Sequence, residues 1–505
     1  MLYQAYETKL EPHADPRKQA GHAMRQTGGW SWRQATPVSS VDTGLGERCR
    51  TEWMLQARQT NHRDARERVC NRWDVFGIRT ALRTRLRTAR TTGSLMVLVP
   101  LLVAALAGCA EPSRLAAVPP NLEEDVSVLG TPNARFWADT QWPAMLQEAM
   151  RALARERAAS MPGSALGPAN FLAVSGGSDD GAFGAGLLVG WTETGTRPSF
   201  ALVTGISTGA LIAPFAFLGP AYDEQLRTVF TTIGPEDVYS RRWTLTAVFS
   251  DALSDTTPLF QLISRYVNQS MLDAIGREYL NGRLLLIGTT DLDAQRPVIW
   301  NIGAIATSGR PEALDLFRRI LLASAAIPGV FPPVMIDVDV GGRRYQEMHV
   351  DGGAFAQAFL IPSRVQLAIA RGGQQPVRPR IAYVIRNARL DPEWAQVDRR
   401  LLSIGPRAIS TMIHSSGLND VVRIYFTARR DGIDYNLAYI GSDFTAERGT
   451  EFDTAYMQAL FAYGHAKALA GTAWTKVPPI LAKPGGAEQF DGDGAKEGAD
   501  PQPQR

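Results

Sequence analysis

Apolar residues recur along this chain in two rhythms. Short unbroken runs bounded by glycine, proline or polar clusters read as buried strands. They lie at Phe171–Val174, Phe200–Val203, Arg283–Thr290, Pro297–Ile302, Arg380–Ile385 and Tyr435–Ile440. Val334–Val340 and Arg343–Tyr345 flank Gly341-Gly342, a hairpin signal. Between the runs, apolar positions return every three or four residues. Met145, Leu146, Met150, Leu153 and Ala154 mark one helix, and Leu314, Leu316, Ile320, Leu321 and Leu322 another. Further helical segments are expected at 182–191, 210–217, 222–230, 260–267, 271–279, 401–424 and 452–470. Strand alternating with helix predicts an α/β fold, a three-layer α/β/α sandwich around a mainly parallel central sheet.

The first hundred residues break this rhythm. Residues 1–74 are polar and rich in Gln and Arg, with isolated tryptophans and no sustained period. They are expected to be a disordered leader, or to lie outside the natural product. From Arg79 to Arg90 five arginines occur without a carboxylate, the run Leu95–Ala105 is apolar, and Leu106-Ala107-Gly108-Cys109 closes it. Basic, apolar and small-residue segments in that order are the layout of a secretory signal, and Pro100 makes the run a poor membrane span. Its last four residues resemble the lipobox of bacterial lipoprotein signals. That resemblance implies a signal over 75–109 and lipidation at Cys109. Without an aspartate at 110, it also implies an outer-membrane address facing the periplasm. Residues 110–135 then read as a tether, 136–475 as the folded domain, and 476–505 as a disordered tail.

Charge and cysteine usage narrow the function. The net charge of +3 is unevenly placed: residues 1–108 hold 17 Lys/Arg against 9 Asp/Glu, and the remainder 36 against 41. The domain is mildly acidic, which argues against a nucleic-acid groove. Of the three cysteines, Cys49, Cys70 and Cys109, none lies beyond 109, so the domain has no disulfide and no thiol nucleophile.

Two glycine-bearing turns follow apolar runs. In the first, Ser175-Gly176-Gly177-Ser178-Asp179-Asp180-Gly181 links a strand to a small-residue helix, a way to present backbone N–H groups to an anion. It lacks the lysine of a phosphate-binding loop and carries two acids where a dinucleotide pyrophosphate would sit. No cofactor is implied. The second, Gly205-Ile206-Ser207-Thr208-Gly209, has the strand–turn–helix context of a nucleophile elbow, which makes Ser207 the candidate nucleophile. Downstream, Asp351-Gly352-Gly353 ends a strand and can aim a carboxylate into a cleft. A serine usually takes its base from histidine. His13, His22 and His62 lie in the leader, His414 and His465 in late helices, and His349 two residues before Asp351. None is placed as an evident partner, so the economical reading is a Ser207–Asp351 pair. His349-x-Asp351 is too sparse for a metal site. Aromatic and aliphatic residues of the 218–280 region, among them Trp243, Phe249, Leu259, Phe260, Ile263 and Tyr266, are candidates either for an acyl groove or for plain helical core.

Taken together, these motifs resemble the patatin-like phospholipase family, strongly over 170–365 and weakly to about 470. Ser175-Gly176-Gly177 with Gly181 resembles its oxyanion loop, which implies oxyanion-holding N–H groups around Gly176, Gly177 and Ser178, and Gly205–Gly209 resembles its elbow. Ala323–Pro333 is similar to its internal Ser-Ala-x-x-x-Pro-x-x-Phe-x-Pro segment, and Asp351–Gly353 to the motif supplying its aspartate. The resemblance implies hydrolysis of phospholipid or lysophospholipid acyl esters, with a lipid or acyl-ester substrate as partner and membrane attachment through Cys109. One departure stands out: Ser178 and Asp180 occupy places where the family commonly has a third glycine and a basic residue. An inward Asp180 would oppose a developing anion; alternatively it caps the following helix. A carboxylesterase for other acyl esters and a non-catalytic envelope protein are the alternatives.

Overall fold

Five strands of the central sheet run parallel, and their alternating side chains divide the interior in two. A computed structural model describes residues 114–241, 254–360 and 378–482. The leader, the 75–109 segment with Cys109, residues 483–505, and Trp243 and Phe249 lie outside the described residues.

In chain order the main strands are β1 (Arg135–Trp137), β2 (Ala169–Val174), β3 (Leu202–Ile206), β4 (Leu284–Asp291), β5 (Arg296–Asn301), β6 (Val334–Val340), β7 (Arg343–Asp351), β8 (Arg380–Arg389) and β9 (Asp434–Ile440). The main helices are α1 (Trp142–Ala159), α2 (Gly181–Glu193), α3 (Thr208–Leu218), α4 (Asp223–Thr232), α5 (Thr257–Tyr266), α6 (Gln269–Leu280), α7 (Ala313–Ser324), α8 (Leu401–Arg430) and α9 (Thr454–Leu469). The sheet order is β1-β5-β4-β3-β2-β8-β9, with β7 added to β4 and β6 to β7. Strands β4, β3, β2, β8 and β9 are mutually parallel. Strands β1, β5, β7 and β6 extend the sheet antiparallel.

The period of two along each central strand explains the layers. Leu172, Val174, Val203, Leu285 and Ile287 belong to the core shared with α2, α3, α4, α7 and α9. Their neighbours Leu202, Ile206, Leu284 and Leu286 pack with Met145 and Ala152 of α1. Ala173, Ala382 and Val384 pack with Val421, Ile424 and Ala428 of α8. Each strand is covered on both faces, which is why its sequence reads as a continuous apolar run. The expected α/β/α sandwich is therefore the fold.

Two stretches differ from expectation. Residues 110–135 were expected as a tether, yet from Arg114 onward this segment is bound to the domain. Arg114 pairs with Asp293 at 2.7 Å, Ser127 bridges Asp339, and Trp137 is 1% exposed with its indole N–H on the Glu123 carbonyl. A three-residue strand carries too short a pattern to stand out in sequence. Helix α8 also continues past the expected end near 424 to Arg430.

Candidate active site

Register places the candidate residues along one edge of the sheet. Val174 of β2 lies beside Gly205 of β3 and beside Ile385 of β8. The turns that leave β2 and β3 therefore emerge side by side at the carboxyl ends of parallel strands, where α/β sheets open a crevice. Strand β7 pairs with β4 so that Asp351 sits across from Thr289, and Ile206 of β3 lies beside Gly288. Asp351 is brought to Ser207 by this pairing.

Ser207 stands at the tip of the elbow with φ 56° and ψ −129°, a region unfavourable to a residue with a Cβ. Such strain costs about 1–3 kcal/mol and persists only where the surroundings enforce it. Here the enforcement is visible. A Cβ at Gly209 would lie 2.2 Å from the Val174 carbonyl oxygen, so only glycine lets α3 start this close to β2. The Ser207 N–H donates to Ser324 Oγ at 3.0 Å, and that hydroxyl donates to the Gly288 carbonyl at 2.7 Å. Two residues on, the Ala326 carbonyl accepts the Asp351 N–H at 2.9 Å. The end of α7 and the residues just after it thus hold the backbones of both candidate residues.

Asp351 is 4% exposed, and Ser207 7%. Burial pushes the Asp351 carboxyl up to about 7, against the opposing pull of the neighbouring Ser207 hydroxyl and of the Gly353 N–H. The Gly353 bond measures 2.7 Å. Such an environment favours a carboxylate able to take and return a proton near neutral pH.

The glycine loop faces this pair, since a Cβ at Gly176 would stand 3.0 Å from Ser207 Cβ. One expectation is corrected here. The Gly176 N–H donates to the Gln357 carbonyl at 3.1 Å, so it is already satisfied. Among the described residues, the N–H groups of Gly177 and Ser178 donate to no protein acceptor, which leaves two donors rather than three. Gly177 has no room for a side chain, because a Cβ would fall 1.9 Å from the Asn387 carbonyl oxygen. Gln357 also donates through Nε2 to the Gly353 carbonyl at 3.0 Å, tying the aspartate turn to the loop.

Asp180 neither caps α2 nor stands alone. Its Oδ1 accepts from Arg448 at 2.6 Å and from Tyr456 Oη at 2.7 Å. Arg448 also pairs with Asp179 at 3.3 Å. The acids are thus turned toward a cation supplied by the segment before α9. His349 is fully buried, with Nδ1 3.0 Å from Thr289 Oγ1 and Nε2 3.1 Å from Glu347. Glu347 is in turn paired with Arg135. Asp291, Glu347 and His349 cluster there, but Arg135 already provides the local positive charge. Leu259 and Ile263 are buried core, which favours the plainer of their two readings.

Sequence reasoning did not find Ser324, Gln357, Arg386, Asn387 or Arg448. Only Ser324 carried a signal, as a member of a motif without an assigned task.

The patatin-like phospholipase family model matches residues 172–361, which contain the loop, the elbow, Ser324 and the Asp351 turn. No curated protein matches the chain. Solved structures similar to it at low identity include the following two. VipD from Legionella pneumophila is 11% identical with a TM-score of 0.30, over 61% of this chain and 68% of that one. The type III effector protein ExoU is 15% identical with a TM-score of 0.23, over 61% of this chain and 54% of that one. The chain thus spans about half of ExoU's length. The match assigns residues 172–361 to the patatin-like phospholipase superfamily, with serine-hydrolase-type cleavage of lipid acyl esters as the activity that such a region implies.

Proposed function

We propose that the chain hydrolyses acyl esters of phospholipids or lysophospholipids through a Ser207–Asp351 dyad. Ser207 Oγ attacks the ester carbonyl carbon while Asp351 accepts the hydroxyl proton. The N–H groups of Gly177 and Ser178 receive the negative charge on the carbonyl oxygen. Collapse expels the alcohol, which takes the proton back from Asp351, and leaves an acyl group on Ser207. Asp351 then deprotonates a water that attacks the acyl carbon. Release of the fatty acid returns the proton to Ser207.

The observation that carries this reading is the strained, buried Ser207 set beside a buried carboxyl raised to about 7. His349 is committed to Thr289 and Glu347, which supports a dyad over a triad. Purified protein assayed on micellar phospholipid is expected to release fatty acid. Ser207→Ala should lower kcat by at least about 10³-fold, as loss of a hydrolase nucleophile does. Undiminished hydrolysis by Ser207→Ala would sink the mechanism. Cleavage of soluble short-chain esters with none of phospholipid would favour the carboxylesterase reading.

We also propose that the domain works in the bacterial cell envelope, tethered through a lipidated Cys109 to the outer membrane. Support comes from the basic flank, the apolar run and Leu106-Ala107-Gly108-Cys109. Among the described residues no helix is long and apolar enough to cross a membrane. Incorporation of labelled fatty acid, lost on Cys109→Ser, is the expected result. Equal labelling of both forms would refute the anchor.

A further inference from the structure

The Arg386 side chain is 2% exposed, yet no carboxylate among the described residues hydrogen-bonds to it. It follows Ile385, the β8 residue beside Val174, and so reaches under the glycine loop. Its Nη1 lies 3.4 Å from both Ser175 Oγ and the Gly176 carbonyl oxygen, while its Nε has no partner among the described residues. Helix α8 closes over the guanidinium at Gly417, where a Cβ would stand 2.4 Å from Arg386 Cζ. Asp420 and Asp180 act on Arg386 only through space: the Asp420 oxygens are taken by the N–H groups of Gln357 and Ala358 and by Arg423, and Asp180 Oδ1 by Arg448 and Tyr456. Burying a guanidinium without an ion pair is costly. Holding this loop by hydrogen bonds alone would need only a neutral donor. The charge is better explained by a negative charge that develops beside it.

Gly176 O and the Gly177 N–H belong to the same peptide unit. The Ser175 hydroxyl donates to Gly176 O at 2.7 Å, and Arg386 Nη1 lies 3.4 Å from the same oxygen. Donors on a carbonyl polarise its peptide and strengthen what the N–H of that peptide donates. We propose that Arg386 is a positioning residue for acyl transfer, supplying the positive charge of the oxyanion site through the Gly176–Gly177 peptide. Asn387 assists by fixing the loop: its N–H donates to Ser175 Oγ and its Nδ2 to the Ser175 carbonyl, both at 2.9 Å. The inference rests on the Ser207 reaction proposed above.

The test uses the full chain, a soluble p-nitrophenyl ester and an alkyl trifluoromethyl ketone, whose serine adduct carries an oxyanion. Direct loss of one oxyanion donor costs about 10²–10³-fold; an indirect support should cost less. Arg386→Gln is expected to lower kcat about 10- to 100-fold with KM little changed, and to weaken ketone inhibition by the same factor. Arg386→Lys should recover most of kcat, and millimolar guanidinium should restore part of it to Arg386→Ala. Ser175→Ala keeps the cation but removes the shared donor, and should lower kcat and ketone affinity together. A folded Arg386→Gln with kcat within about twofold of wild type overturns the inference, as does ketone affinity lost no more than substrate affinity. If the Arg386 variants do not fold, unchanged kcat and ketone affinity in Ser175→Ala overturn it. Ser207→Ala run alongside separates the two levels. If it stays active the reaction scheme itself falls, whereas an inactive Ser207→Ala beside a fully active Arg386→Gln removes only the role of Arg386.

Discussion

Replacing Asp351 with asparagine should abolish hydrolysis and yet make the protein more stable above neutral pH. The carboxyl moves from 3.8 when unfolded to about 7 when folded, because burial disfavours its charge. A folded value above the unfolded one means that the native state binds the extra proton. The stability this confers is fully present below about pH 4 and is lost as pH rises through about 7. The shift of roughly three units corresponds to about 4 kcal/mol at most. Asparagine has nearly the same shape and keeps an oxygen for the Gly353 N–H that Asp351 Oδ1 now accepts at 2.7 Å. It never ionises, so it escapes the penalty. Urea unfolding of wild type and Asp351→Asn from pH 5 to 9 provides the assay. The variant's advantage should grow by about 1.4 kcal/mol per pH unit up to about 7 and then level off. Fatty-acid release should be lost at every pH, while wild-type kcat/KM should rise through pH 7 as Asp351 ionises. A stability difference that stays flat across this range would refute the argument, because it would mean Asp351 ionises as readily folded as unfolded.

Ser324→Ala removes the acceptor for the Ser207 N–H and the donor to Gly288. With both backbone groups left unpaired and buried, the expected cost is about 2 kcal/mol by urea titration, with kcat down about 10-fold as the elbow relaxes. Arg448→Met strands the buried Asp179 and the half-buried Asp180. Burial already pushes Asp179 up to about 6 against the pull of Arg448, so the variant should be near wild-type stability at pH 5, where the acids can take up protons. It should lose about 3 kcal/mol or more by pH 8. Equal destabilisation at both values, read from paired melting curves, would show that Arg448 acts through packing rather than charge.

Local chemistry carried much of this protein into view before any coordinates. Runs such as Leu284–Asp291 can only be strands buried on both faces, and residues such as Leu314, Leu316, Ile320 and Leu321 fall on one side of a helix. The elbow at Ser207 and the Asp351-Gly352-Gly353 turn were legible because each joins a strand to a turn through residues adjacent in sequence. What holds them was not. Ser324 reaches Ser207 across 117 residues, Arg386 reaches Ser175 across 211, and Arg448 reaches Asp180 across 268. Periodicity and turn chemistry reflect dihedral angles, which are local. They say nothing of which side chain a distant strand will bring alongside. That is why Asp180 could be seen in the sequence as an anomaly, while its counter-charge at Arg448 and the buried cation at Arg386 emerged only when β8 and α9 were packed beside the loop.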